Sequence, residues 1–95
     1  MKVVEPAKTA YHTDDSWWHM LKDERGDLYI LVACEASVVS YECLIKLNEE
    51  EIRDHHGLGW LSMQHLASRI NYFAQDYKSR MIVGPALVDA IKASR

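Results

Sequence analysis

The sequence contains no long apolar run, few glycines and prolines, and only two cysteines. Its 95 residues include four Gly, two Pro and two Cys. No segment approaches the roughly 20 apolar residues of a membrane-spanning helix, and residues 1–15 lack the apolar stretch of a signal peptide. Cys34 and Cys43 do not form a Cys-x-x-Cys pair. We therefore expect no membrane association and a cytoplasmic location, where thiols stay reduced.

Basic residues are also sparse, and they are spread along the chain. Residues 1–57 hold six of the eleven basic and twelve of the fourteen acidic residues, a net charge of −6 against −3 for the whole chain. Nucleic-acid binding usually needs a concentrated basic face, so we expect no nucleic-acid partner. The composition, 48% hydrophobic and 26% charged, is that of a globular protein, and the length predicts a single domain, residues 1–95.

Three segments of this domain differ in their hydrophobic pattern. Residues 1–15 show no period and are predicted to be a loosely ordered N-terminal segment. Residues 16–47 are rich in strand-forming side chains that alternate with polar ones, which predicts an antiparallel sheet with Gly26 in its first turn. Residues 48–95 repeat apolar side chains at three and four positions, which predicts helices. The order βββαα(β)α indicates an α+β fold, a three- or four-stranded antiparallel meander packed on one face by a long helix.

The helical half begins with a clear capping signal. Asn48 is a good N-cap, and Glu51 lies three residues further on, as in a capping box. We predict a first helix over residues 49–56 that ends at Gly57 and a long helix over 59–78, or one bent helix in their place if Gly57 does not break the chain. A short strand over 81–83 and a last helix that begins at Pro85 follow. The apolar stripe of the long helix comprises Trp60, Met63, Leu66, Ala67, Ile70, Phe73, Ala74 and Tyr77.

The positions of the cysteines depend on the turn between the second and third strands. A tight turn at Ala36-Ser37 pairs Cys34 with Val39, which leaves Cys43 about four residues away along the strands. A disulfide needs Cα atoms within about 7 Å, so we expect two separate, buried thiols. A Cys–His nucleophile pair between Cys34 and His19 on the adjacent strand is the functional alternative.

A histidine-rich stretch, residues 51–65, is a candidate metal site. Glu51 and His55 are four apart and share a helix face, His65 lies on the next helix, and all three are zinc-ligand types. In the alternative interpretation the stretch is a helix joint, where His55 and His56 favour the negative end of the helix dipole. We expect the joint, and hence no metal or other cofactor, with Glu51, His55 and His65 as the alternative ligand set.

Both faces of the predicted sheet carry many apolar side chains. A two-residue first turn places Trp17, His19 and Leu21 on the core face with Ile30, Val32 and Cys34, and a three-residue turn exchanges Trp17 with Trp18. In the two-residue case five side chains lie on the second face: Trp18, Met20, Tyr29, Leu31 and Leu44. Either the chain itself covers this face, with the N-terminal segment or with Leu87 and Ile91 of the last helix, or another chain does. Aromatic and Met enrichment is typical of interface cores, so these five are the predicted interface.

The predicted function is a small, non-enzymatic, cytoplasmic protein-interaction or regulatory module, with a second copy of the chain or another protein as its partner. A narrower hypothesis is an inhibitor or antidote of a basic partner, bound by an acidic surface of Glu49, Glu50 and Glu51. The alternative is a small-ligand or metal-binding protein, including a minor hydrolase, that uses the histidines.

Overall fold

The structure is a computed structural model that describes residues 1–6, 17–36 and 39–95. Its five strands form one antiparallel sheet in sequence order, and four helices follow the fourth strand. The strands are β1 (Lys2–Pro6), β2 (Trp18–Lys22), β3 (Leu28–Ala36), β4 (Val39–Lys46) and β5 (Met81–Ile82). The helices are α1 (Glu49–Leu58), α2 (Trp60–Tyr72), α3 (Ala74–Tyr77) and α4 (Pro85–Ala93), with a 3₁₀ turn at Lys78–Arg80. The predicted α+β class and the strand meander followed by helices are confirmed.

Two short strands extend the meander at its edges. β5 is the optional fourth strand, and it pairs with Leu44 and Ile45 of β4. β1 pairs with β2, so the prediction of a loosely ordered segment does not hold for residues 2–6. This strand is too short to show a period, and Pro6 at its end is tolerated at a sheet edge, where no ladder hydrogen bond is lost. Residues 7–16 of that segment lie outside the described residues.

A five-residue loop, Asp23–Asp27, closes the first hairpin. The Asp23 carboxylate accepts hydrogen bonds from the backbone N–H of Arg25 and of Asp27, both at 2.9 Å, and Gly26 takes the left-handed backbone (φ +89°) that the turn requires. Trp18 therefore pairs with Val32. The expected two-residue turn is wrong, and because side chains alternate between faces, the odd number of loop residues moves Trp18 to the opposite face.

The second hairpin is displaced by two residues from the predicted register. Ala36 pairs with Val39, Cys34 with Tyr41 and Val32 with Cys43. An even displacement leaves every side chain on its predicted face but changes which residues are neighbours. The predicted pairing of Cys34 with Val39 is therefore wrong, and the observed register brings Cys34 and Cys43 much closer together than predicted.

The sheet has a helix layer on each face. On one face α2 covers the larger core, whose fully buried members are Trp18, Met20, Ile30, Val32, Cys34, Cys43, Ile45, Leu47, Met63, Leu66, Ala67 and Ile70. On the other face α4 covers a smaller core of Leu21, Tyr29, Leu31, Leu44 and Ala90, with Leu87 and Ile91 packed against it. Among the described residues, no helix has the length and apolar content needed to cross a membrane.

The helix boundaries follow glycine geometry and one kink. Asn48 and Glu51 form the predicted capping box, but α1 continues through Gly57 and ends at Gly59, whose φ of +63° fits a helix end. The predicted long helix is divided into α2 and α3 at Phe73, where the backbone leaves helical geometry (φ −125°, ψ 45°). The predicted stop at Gly57 and the uninterrupted helix over 59–78 are therefore wrong.

Candidate functional site

The five residues of the predicted interface are buried inside the chain. Each is at most 8% exposed, so none is available on a free surface. Trp18 and Met20 lie in the larger core, where the Trp18 ring contacts that of Trp60 with centroids 5.8 Å apart. Tyr29, Leu31 and Leu44 lie beneath α4.

The second face of the sheet is covered by the chain's own last helix, which is one of the alternatives that the sequence left open. Leu87 and Ile91 of α4 pack on the second face of the sheet, as that alternative requires. The prediction that another chain covers these five residues is wrong for two reasons. The loop length places two of them on the α2 face, and the last helix folds back over the other three.

Two of the three predicted acidic-surface residues remain on the surface. Glu49 and Glu50 are exposed in the first turn of α1, whereas Glu51 is buried. The Glu51 carboxylate accepts the Asn48 backbone N–H at 2.9 Å, and the Glu51 N–H donates to the Asn48 side chain at 2.8 Å. Glu51 is thus part of the helix start and does not belong to a surface for a partner.

A residue that the sequence did not single out, Arg80, completes the surroundings of Glu51. The Arg80 guanidinium donates to both carboxylate oxygens of Glu51, at 3.0 and 2.6 Å, and to the backbone carbonyl of Lys46 at 2.9 Å. Burial alone would raise the pKa of Glu51, but the hydrogen bonds from Arg80 and from the Asn48 backbone outweigh it and lower that pKa. The ion pair ties the start of α1, the end of β4 and the 3₁₀ turn together.

The predicted alternative ligands Glu51, His55 and His65 do not form a metal site in the structure. Among the described residues, no group of three His, Cys, Asp or Glu side chains comes close enough to hold a metal ion. His65 is exposed on α2, and the carboxylate of Glu51 is already engaged by Arg80. His55 and His56 lie in the last turn of α1 with ring centroids 5.9 Å apart. They line an open groove of about 430 Å³ with Val4, Lys22, Gly26, Asp27, Leu28 and Ile52.

The alternative Cys–His pair is not formed. His19 pairs with Leu31 and alternates along β2 with Trp18 and Met20, so its side chain is on the α4 face of the sheet. Cys34 belongs to the core beneath α2. The sheet itself separates the two side chains, so this prediction is wrong.

The cysteines themselves are in contact with each other, and both are buried free thiols. Their Sγ atoms are 3.2 Å apart, because the observed register makes Cys34 and Cys43 diagonal neighbours on one face of β3 and β4. The prediction that they are separated along the strands is therefore wrong. A hydrogen bond between the thiols lowers the pKa of Cys34 and raises that of Cys43, since the first thiolate formed is stabilised by the remaining S–H.

An aromatic patch of Tyr41, Tyr72 and Phe73 stands on the surface where α2 meets α3. These side chains are 38%, 78% and 59% exposed, respectively, and together they border an open groove of about 390 Å³. The helical period placed Phe73 in the buried stripe, and this is wrong because the kink at Phe73 interrupts that period. The only Phe of the chain is therefore presented to solvent.

The edge of β4 lies beside this aromatic patch. The Leu47 N–H donates to the Leu28 carbonyl, which fixes the alternation: odd residues of β4 direct their backbone groups to β3 and even ones direct them outward. The outward carbonyl of Lys46 accepts from Arg80, and Leu44 pairs with β5. Among the described strands, none pairs with the outward groups of Ser40 and Glu42.

The chain matches no protein-family model, no curated protein and no solved structure. Three features therefore remain as candidate sites on geometry alone: the aromatic patch with the adjoining edge of β4, the Cys34–Cys43 pair, and the groove beside His55 and His56.

Proposed function

We propose that the protein is a small, non-enzymatic, cytoplasmic interaction module that self-associates through the aromatic patch and the adjoining edge of β4. The observation that carries this proposal is the exposure of Tyr72 and Phe73, at 78% and 59%. Exposed apolar patches mark interaction sites in soluble proteins, and aromatic residues are enriched at the centres of interfaces. The unpaired backbone groups of an edge strand provide a second attractive element.

The register of β4 favours a second copy as the partner. A two-fold axis at Tyr41 would place Ser40 of one copy opposite Glu42 of the other, with their outward backbone groups in hydrogen-bonding positions. The two Tyr41 residues would then form a pair without backbone hydrogen bonds between them, in which side chains approach most closely. This arrangement opposes Glu42 to a neutral residue, and Arg95 already balances its charge at 3.6 Å.

The mass in solution tests the aromatic half of the proposal. We expect light scattering to give twice the mass of the chain for the wild type and a folded monomer for the Tyr72→Asp, Phe73→Asp double variant. The matched control is Leu61→Asp, which places a charge on a half-exposed apolar position of the same helix α2. A wild type that is monomeric at every concentration, or a double variant that stays dimeric, would contradict the proposal.

A proline tests the edge of β4 separately. The Glu42 N–H points away from β3, so Glu42→Pro removes an outward donor without removing a β3–β4 hydrogen bond. We expect Glu42→Pro to give a folded monomer. Glu42→Ala, which keeps the N–H and removes the charge, should remain a dimer. If both variants dimerise alike, the edge of β4 does not form the contact.

The narrower proposal of a regulatory protein that binds a basic partner rests on the exposed pair Glu49 and Glu50 and on the charge of −6 over residues 1–57. Electrostatic complementarity acts mainly on the association rate. Glu49→Gln with Glu50→Gln should therefore slow association and reduce its dependence on salt. Glu51 is left out of this variant because its replacement would disturb the start of α1. An unchanged association rate would contradict this version.

A further inference from the structure

Two thiols are in contact inside the larger core. Cys34 pairs with Tyr41 and Cys43 pairs with Val32, so the cysteines are diagonal neighbours on the face that α2 covers. Their Sγ atoms are 3.2 Å apart, and both residues are free thiols. A disulfide bond brings its sulfur atoms to about 2.0 Å, so the two atoms have to approach each other by about 1 Å to be joined.

Tyr41 is a neighbour of this pair that reaches solvent. It pairs with Cys34 across the strands, and it is 38% exposed, whereas Cys34 and Cys43 are 1% and 2% exposed. Burial raises the pKa of the Tyr41 hydroxyl, and the charge of either thiolate raises it further, which agrees with its position close to both sulfur atoms. We therefore take the Tyr41 ring as the cover of the thiols, which a small oxidant has to pass.

We propose that Cys34 and Cys43 are a peroxide-sensitive dithiol that closes to an intramolecular disulfide bond between β3 and β4. In the first step a thiolate attacks one oxygen of hydrogen peroxide and becomes a sulfenic acid, as the O–O bond breaks and hydroxide leaves. In the second step the other thiol attacks the sulfenic sulfur, the S–O bond breaks and water leaves. In total, two thiols lose two electrons and two protons, and one peroxide becomes two waters.

The contact between the thiols supports both steps. Either sulfur can donate the hydrogen bond to the other, so the first thiolate formed is stabilised by the remaining S–H and attacks peroxide. The other thiol then resolves the sulfenic acid from within contact distance, before a second peroxide can oxidise it further. The disulfide bond itself requires only the contact between the two sulfur atoms, and the proposed self-association shares Tyr41 with it.

The experiment oxidises the folded protein with hydrogen peroxide, then blocks remaining thiols after denaturation. We expect an intact mass lower by two hydrogen atoms, with no thiol left to alkylate. A Glu-specific protease cuts after Glu35 and Glu42, which separates the two cysteines, so their peptides should be joined until a reductant is added. Two free thiols, or a disulfide between chains instead of within one, would overturn the proposal.

Thermal unfolding tests whether the bond fits the folded sheet. A cross-link that closes a loop of about ten residues should raise the melting temperature by about 10 °C, and reductant should reverse the rise. An oxidised protein that melts lower than the reduced one would show that the disulfide forms only by disturbing β3 and β4, and would overturn the proposal.

Variants separate this chemistry from other oxidation. The Cys34→Ser, Cys43→Ser double variant should show no rise in melting temperature with peroxide. The same rise in this variant would assign it to other groups, such as the four methionines. Tyr41→Ala should accelerate disulfide formation several-fold, and an unchanged rate would contradict the role of Tyr41 as a cover. In Cys43→Ser and in Cys34→Ser the remaining cysteine should become a sulfenic acid that a dione reagent traps, and no trapped product in either variant would contradict the two-step mechanism.

Discussion

Removing Arg80 should destabilise the protein far more than removing an arginine from the surface. The Arg80 guanidinium donates to both oxygens of Glu51 and to the Lys46 carbonyl. The Glu51 side chain is 11% exposed and that of Arg80 is 31% exposed. Arg80→Ala would therefore leave a largely buried carboxylate without its charged partner and a backbone carbonyl without its donor.

The size of the effect can be derived from these contacts. Breaking a buried ion pair by removing one partner costs about 3–5 kcal/mol, and hydrogen bonds to charged groups contribute about 1.5–3 kcal/mol. Because Arg80 is partly exposed, water can replace some of its hydrogen bonds, which places the expected loss near the lower limit, at about 3 kcal/mol. The loss of stability in Arg80→Lys should lie between that of the wild type, which is zero, and that of Arg80→Ala. The reason is that an ammonium group keeps the charge but cannot donate to both oxygens in the same plane.

The loss of stability caused by Arg80→Ala should depend on pH. In the folded protein the pKa of Glu51 lies below its ordinary value of 4.5. Its contribution to the free energy of unfolding is therefore fully present above pH 4.5 and is lost as the pH falls through the folded-state pKa. Arg80→Ala removes the hydrogen bonds from Arg80 that lower the pKa of Glu51, whereas burial of the carboxylate still raises it. Protonation of Glu51 at acid pH then removes the buried charge and makes the variant less unstable. The difference between wild type and variant should shrink as the pH falls below about 4.

Urea denaturation at pH 7 and again near pH 3 measures both effects. The matched control is Arg95→Ala, which removes a surface pair with Glu42 at 3.6 Å, where the Arg95 side chain is 74% exposed. This control should cost less than about 0.5 kcal/mol. The reasoning would be refuted if Arg80→Ala cost no more than Arg95→Ala at pH 7, or if its cost were the same at both values of pH.

Four further predictions concern helix ends and core packing, and urea denaturation at pH 7 checks each of them. Gly57→Ala should stabilise the protein by about 0.5–1 kcal/mol, since Gly57 lies within α1 with open space around it; a loss of stability would contradict a helix that continues through this residue. Gly59→Ala should destabilise it by about 1–3 kcal/mol, because φ is +63° and ψ is −135° there, and a neutral result would refute this backbone conformation at the helix end. Asn48→Ala should cost about 1 kcal/mol through loss of the cap, with Glu49→Ala as a nearly neutral control. Leu66→Ala should cost about 2–5 kcal/mol, because Leu66 is fully buried beneath the sheet.

The elements with a local cause could be predicted from the sequence. The capping box of Asn48 and Glu51, the left-handed turn at Gly26 and the start of α4 at Pro85 all depend on residues within five positions of one another. The α+β order follows from the change of hydrophobic period near residue 48. These features are correct because propensity, capping and turn geometry act over short distances along the chain.

The candidate sites depend on the spatial positions of residues, which local sequence patterns do not reveal. Phe73 fits the apolar stripe of one continuous helix, and a single kink places it on the surface. Glu51 and Arg80 are 29 residues apart in sequence, and neither residue indicates the other. β1 has too few residues for a period, so its pairing with β2 could be seen only in the sheet.

The sequence by itself determined the class of fold and its order, a strand meander followed by helices. Only the tertiary structure decided on which face of the sheet each strand residue lies and which residues are its neighbours. In a sheet, one more residue in a loop reverses the face of every side chain beyond it, and two more change every cross-strand neighbour. For this reason Trp18 lies in the core instead of at an interface, and Cys34 contacts Cys43 instead of lying far from it.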